Sequence, residues 1–307
     1  MTRYIIKRLG LSVFVLLGVS IVVFMLLHLS PGDPARLILP EDVPEDVVAK
    51  VRHEYGFDQA LPVQYWVFLT KALRGDLGKS FSLQKPAMSV VIEALWATVE
   101  LTFAALFISL AVAIPMGILS AVRRDSIWDY VGMFIATIGQ ATPVYWLGIM
   151  LILIFTVQLH VLPSSGRGGP QYLILPAITL GAPLMAIVTR LLRSGMLDIL
   201  GEDYIRTARA KGLSQNTVLL RHAIKNIAIP VVTVVGLQLG GLLGGAIITE
   251  TVFAWPGVGR VVVIGLASRD YPLVQAATLL VSFYFVGINL LLDVLYVYLD
   301  PRIRHTM

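Results

Sequence analysis

Six stretches of this chain carry no Asp, Glu, Lys or Arg over more than the roughly 18 residues that mark a membrane span. They are residues 9–32, 101–122, 130–166, 168–189, 226–249 and 271–292, each rich in Leu, Ile, Val, Ala and Phe. At a rise of about 1.5 Å per residue, a run of about 20 crosses the roughly 30 Å hydrocarbon core of a bilayer. Only 14% of the 307 residues are charged, against about 25% in a soluble domain. Six buried helices of a soluble protein would need a far larger polar shell. The pattern predicts an all-α membrane protein with six transmembrane helices.

The third run is the longest, yet two crossings and a turn do not fit within it. Its tail, Leu162-Pro163-Ser164-Ser165-Gly166, reads as a loop after one helix. Pro143 is expected to kink that helix or to mark a break in it. The chain has 0 cysteines, so disulfides, thiolate metal sites and thiol nucleophiles are excluded.

Charge sets the orientation. Arg3, Lys7 and Arg8 precede the first run. That run is too long for a signal peptide and is followed by Ser30-Pro31-Gly32-Asp33-Pro34 rather than a cleavage site, so it reads as an uncleaved anchor. With the N-terminus in the cytoplasm, alternation places inside residues 122–129, 190–225 and the tail after Leu299. These segments and the N-terminus hold 14 of the 24 Lys and Arg, whereas the two short outer loops hold Arg167, Arg260 and Arg269. That asymmetry follows the positive-inside rule. The segment from Asp33 to Glu93 mixes seven bases with nine acids, and long segments translocate largely regardless of charge. It is expected outside. The net charge of +5 is thereby an orientation signal and does not point to nucleic acid.

The inner connection between the fourth and fifth runs is the most informative soluble piece. Glu202-Asp203-Tyr204-Ile205-Arg206-Thr207-Ala208-Arg209-Ala210-Lys211 predicts a short helix. Its acids favour the positive N-terminal end and Arg209 and Lys211 the negative end. Gly212 fits the position just past the C-terminus, and Ser214 fits an N-cap for a second helix carrying Arg221, His222 and Lys225. One reading is a solvated hairpin. The other is a docking element, in which Ala208 and Ala210 leave a low-relief face for a partner's groove.

Other features point elsewhere at first sight. Gly75-Asp76-Leu77-Gly78-Lys79-Ser80 ends like a phosphate-binding loop, but Leu73 stands where its first glycine belongs. A turn is expected there. The histidines are scattered, His53-Glu54 lacks a second His, and no Gly-x-Ser-x-Gly elbow exists. No catalytic residue and no metal site is assigned. Gly236, Gly240, Gly241, Gly244 and Gly245 repeat along the fifth run, which suits close helix packing or a gating hinge. Asp293, with Asn289 one turn away, lies inside the inner end of the sixth run. The two form a satisfied structural pair or touch a translocation path.

The Tyr204–Gly212 segment resembles the cytoplasmic coupling motif of ABC importer permeases, with Ala208 and Gly212 matching and Ile227-Ala228-Ile229-Pro230 similar to its closing element. Arg206 stands where that motif has a Glu, and the gap to Ile227 is longer. The form Tyr204 to Gly212 with Lys225-Asn226 and Pro230 resembles the peptide and nickel branch. So do Leu29 to Pro34, Gly75 to Gly78 with Ser80, Ala97 to Thr102, Glu250 to Arg260, Arg269-Asp270-Tyr271-Pro272, and Asn289 to Arg302.

The resemblance covers nearly the whole chain. It implies a type I ABC importer permease fold, with an N-terminal helix and extracytoplasmic region over residues 1–95 and a transmembrane core over 96–300. It also implies a B-type permease for dipeptides, oligopeptides, glutathione or nickel complexes in a bacterial inner membrane, both termini cytoplasmic. Implied partners are a homologous second permease, two cytosolic ATPase subunits that hold ATP and Mg, and an extracytoplasmic binding protein. This chain itself takes no cofactor in that scheme. An ATP-independent channel or secondary transporter is the alternative, but it should carry paired midplane charges or repeated broken helices, which are not evident.

Overall fold

The computed structural model describes residues 2–29, 33–37, 43–54 and 56–299. In chain order these form α1 (Thr2–Leu29), α2 (Pro34–Leu37), α3 (Glu45–Glu54), α4 (Leu61–Leu73), α5 (Ala87–Val122), α6 (Ile127–Ala141) and α7 (Val144–Leu151). There follow α8 (Pro170–Gly201), α9 (Asp203–Ala210), α10 (Gln215–Thr217), α11 (Ile224–Val252), α12 (Val258–Ala267) and α13 (Tyr271–Leu299). A π-helical stretch, Ile152–Gln158, prolongs α7, and another, Val218–Ala223, joins α10 to α11.

Helices α1, α5, α8, α13 and the one running from α10 into α11 are each long and apolar enough to cross a membrane. The third expected span is a bent pair, α6 with Val144–Gln158, turned by 112°. The break falls at Thr142-Pro143, where Thr142 is extended. A residue before proline is pushed out of the helical region, and proline offers no N–H to the preceding turn.

Several helices outrun their charge-free cores. Helix α5 starts at Ala87 rather than near Leu101, and α8 continues through Arg190 and Arg193 to Gly201. The inner connection is therefore shorter than the expected 190–225. The expected second helix of the hairpin is continuous with the fifth span, with Pro230 inside it. The outer connection before α13 is not a plain loop either, since it contains α12.

The chain divides into two compact units, Met1–Thr98 with Pro256–Val294, and Val99–Trp255 with the end of α13 from Leu295. Within the second unit, close approaches at small residues fix the register around α8. Ser109 donates to the Gly181 carbonyl at 2.8 Å, and a Cβ on Gly117 would stand 2.6 Å from the Leu192 Cβ. Helix α5 thus runs parallel to α8. Asp129 meets Arg193, a Cβ on Gly139 would lie 3.3 Å from the Ala182 carbonyl, and one on Gly148 would lie 3.3 Å from Thr179. The bent pair accordingly climbs α8 antiparallel to it. The side chain of Ile227 lies against Gly195, and Leu180 lies 3.3 Å from where a Gly245 Cβ would stand, so α11 also runs antiparallel to α8.

In the first unit, Arg8 pairs with Asp293 at 3.0 Å and Gln275 donates to the Val23 carbonyl at 3.2 Å. Helices α1 and α13 are therefore antiparallel. The start of α5, α12 and the start of α13 share a core that includes Val91, Val258 and Leu273.

Candidate functional site

The hairpin after α8 is built from local rules. Helix α9 packs Ile205 and Ala208, one turn apart, against Val218 with Ile199 and Leu200 alongside. Its end is closed by two backbone bonds: Gly212 N–H to the Arg209 carbonyl at 2.9 Å and Leu213 N–H to the Ala208 carbonyl at 3.3 Å. This is a Schellman arrangement, which needs a left-handed residue just past the helix, and Gly212 has φ +77. Ser214 then caps the next helix, accepting from the Thr217 N–H. Asn226 donates to the Tyr204 hydroxyl at 2.8 Å, which ties α9 to the base of α11.

The outward side of α9 consists of Asp203, Tyr204, Arg206, Thr207, Arg209 and Ala210, with Glu202, Lys211 and Gly212 also exposed. Here the structure corrects the sequence reading. Ala208 is buried against the chain's own helices, so it seats α9 and does not lie on the outward face. A Cβ on Gly212 would meet nothing within 4 Å, so that glycine answers to backbone conformation and not to space. Ala210 remains exposed as the low-relief position.

Beside the hairpin, at the foot of α8, Arg193 grips Asp129 with two bonds, Nε to Oδ1 at 2.5 Å and Nη2 to Oδ2 at 2.7 Å. The Asp125 N–H donates to the same carboxylate at 3.1 Å. Sequence reasoning missed this pair, because nothing local links positions 64 residues apart. The only hint was a lone acid at the margin of a charge-free run.

Asn289 and Asp293 do not form the expected pair. Asn289 is exposed and donates to the Phe285 carbonyl of its own helix at 2.8 Å, while the partner of Asp293 is Arg8. Of the glycine stripe, Gly245 makes a close contact, whereas Cβ atoms on Gly241 and Gly244 would meet nothing within 4 Å.

On the outer segment, the phosphate-loop look-alike is a turn with Gly75 and Gly78 at φ +75 and +83. Its Ser80 donates to Asp270 at 2.6 Å, and Ser82 donates to the same oxygen through its N–H at 2.9 Å and its hydroxyl at 2.7 Å. Asp270 also caps α13 through the Leu273 N–H at 3.2 Å. Burial pushes the Asp270 carboxyl up, but the bonds from Ser80, Ser82 and Leu273 outweigh it and hold it below its ordinary range. Two family-like motifs 190 residues apart are thereby one knot. Earlier in the same segment, a hydrogen bond from Arg52 holds the Asp33 carboxyl low, and Asp58 raises the His53 imidazole above its usual value. Ser30, Pro31 and Gly32 of the first motif, and the tail from Asp300, lie outside the described residues.

Just past the C-terminal end of α11, Trp255 and Phe253 are wholly buried. The Gly166 N–H donates to the Phe253 carbonyl at 3.0 Å. Arg167 bonds Glu100 through Nε at 2.9 Å and stands over the Trp255 ring.

Comparison with known proteins agrees with this architecture. Residues 113–305 match the family described as binding-protein-dependent transport system inner membrane component, and residues 1–102 match the N-terminal part of such membrane components. The chain is 42% identical to the dipeptide transport system permease protein DppB of Alkalihalophilus pseudofirmus, over 99% of this chain and 100% of that one. It is 44% identical to the glutathione transport system permease protein GsiC of Salmonella choleraesuis, again over 99% and 100%. Among solved structures, the inward-facing MetNI methionine ABC transporter aligns with a TM-score of 0.57 at 17% identity, covering 69% of this chain and 97% of that one. A crystal structure of an amino acid ABC transporter with histidines aligns at 0.54 and 16%, covering 68% and 93%. Those two likenesses concern the fold.

Proposed function

The chain belongs to the binding-protein-dependent transport system inner membrane components, and from that premise we propose that it is a permease subunit of a peptide-importing ABC transporter. It forms half of a translocation path for dipeptides, oligopeptides or glutathione. This reading is supported by relatives named for dipeptide and glutathione transport that align over the full length. A homologous permease supplies the other half, two cytosolic ATPase subunits hold ATP and Mg, and an extracytoplasmic binding protein delivers substrate. The chain performs no catalysis, and both of its termini face the cytoplasm.

The observation that carries the coupling role is the construction of α9. Ile205, Ala208 and the Tyr204 hydroxyl bonded to Asn226 fasten it to the permease, while Arg206, Thr207 and Ala210 face outward. A helix seated on one side and bare on the other can pass a push from a partner into α8 and α11 as a rigid body. Closure of the ATPase pair on ATP would move α9, and the spans attached to it would rock. Such a shift requires ATP to bind the closed pair preferentially.

The test is Ala210→Trp in the reconstituted transporter. Added bulk on the bare face should lower ATPase-subunit retention and uptake roughly tenfold, about 1.4 kcal/mol. The thermal midpoint of the isolated permease should not change. Full uptake and full retention with Trp at position 210 would refute α9 as the docking element.

A further inference from the structure

Helix α4 is thirteen residues long and, although Gln64 and Lys71 interrupt its apolar run, it presents an exposed apolar side. An apolar helix side is ordinarily covered by protein or lipid. One of about 10–14 residues is too short to span and suits an interfacial position. Its inner side is accounted for. The Tyr65 hydroxyl and Ser20 Oγ lie 2.8 Å apart, His28 Nε2 and Gln64 Oε1 lie 2.9 Å apart, and Tyr65 and Phe68 pack on the Phe24 ring. Its other side presents Val63, Trp66, Val67 and Leu73, with Trp66 65% and Leu73 79% exposed.

Depth follows from α1. Arg8 marks one end of that span through its pair with Asp293, and α4 meets α1 at Phe24. Sixteen residues of helix rise about 24 Å, which is some 6 Å short of the roughly 30 Å core. Amphipathic surface helices bury their apolar sides about 5–10 Å into the headgroup and acyl boundary. Helix α1 itself exposes Phe14, Val22 and Leu26, as a lipid-facing span does.

Polar groups on α4 are arranged to suit lipid. Thr70 turns its hydroxyl back onto the Trp66 and Val67 carbonyls at 3.0 and 2.9 Å. Pro62 removes one orphan N–H at the start. At the end, the Arg74, Gly75 and Asp76 N–H groups close onto the Lys71 and Ala72 carbonyls. Lys71 and Arg74, the bases of this stretch, sit at that end, where long side chains can reach headgroups.

We propose that α4 lies in the membrane leaflet opposite the Arg8 end, its outward face of Val63, Trp66, Val67 and Leu73 in contact with phospholipid acyl chains. The connection between the first two spans is then partly a membrane-surface element rather than wholly a water-borne domain. This stands apart from the coupling role of α9.

The chain has no cysteine of its own, so a single introduced one can be labelled on the purified permease before assembly. Val63→Cys, Val67→Cys and Leu73→Cys are each labelled with a nitroxide, assembled into the transporter and reconstituted into phosphatidylethanolamine–phosphatidylglycerol liposomes. Collision rates with oxygen, which concentrates in hydrocarbon, and with a water-soluble nickel chelate are measured by electron paramagnetic resonance. The oxygen-to-nickel ratio should be severalfold higher at all three positions than at Lys50→Cys on α3. Nickel collisions equal to those at position 50 would place α4 in water. Low collision rates with both reagents would mean that a protein partner covers it. Either result overturns the proposal.

Discussion

At the scale of single residues, Gly212 separates two demands that look alike in a sequence. A small residue between helices is needed either for room or for backbone freedom. Here room is ample and φ is +77. A left-handed conformation costs an ordinary L-residue roughly 1–2 kcal/mol, and Asn tolerates it better. Gly212→Ala should therefore weaken the closure of α9 by about 1 kcal/mol, and Gly212→Asn by less. Hydrogen exchange at the Leu213 amide, which closes onto Ala208, reads this directly. Ala should speed exchange more than Asn does, and equal protection in all three proteins would remove the backbone argument. Gly212 and Ser214 were legible in the sequence because capping is set within a few residues. The inward turn of Ala208 was not, because it depends on Val218 across the hairpin. The knot at Asp270 was half legible. Both of its motifs stood out, yet only a folded chain brings Ser80 and Ser82 to the same carboxylate oxygen.

At the scale of elements, α6 is held to α8 by one ion pair and a series of close approaches. Asp129 is 2% exposed, and its two oxygens take both bonds from Arg193. Removing one member of such a pair strands the other charge, at a cost of about 3–5 kcal/mol. Replacing both with apolar residues of similar volume is often nearly neutral. Asp129→Leu and Arg193→Met should each lower the thermal midpoint strongly, and the double variant should recover most of the loss. Additive losses would show that the two side chains act separately. Charge-free runs located every helix long and apolar enough to cross, and the bent pair, because that signal is a property of composition. They hid the true helix ends, since α5 and α8 carry on past the hydrocarbon with charged residues on their flanks. They also passed over α4 and α12, which are apolar but shorter than a crossing.

At the scale of the whole chain, the bent pair decides the topology. A helix turned by 112° either re-enters on the side it came from or goes through. The two cases reverse the side on which everything from α8 onward ends. The register along α8 favours passage, because Asp129 stands beside Arg193 while Gly148 stands beside Thr179. The ends that α6 and α8 share therefore face the same compartment. The basic residues Arg123, Arg124, Arg190 and Arg193 gather at those ends, and the positive-inside rule assigns them to the cytoplasm. Single cysteines at Arg124 and Thr207 should then react with a membrane-impermeant maleimide in inside-out vesicles. A cysteine at Lys50 should react in right-side-out vesicles. Positions 124 and 207 labelling from opposite sides would mean that the pair re-enters. Both labelling with position 50 would place α9 beyond the reach of any cytosolic ATPase, and a permease driven from the cytosol would have no point of attachment.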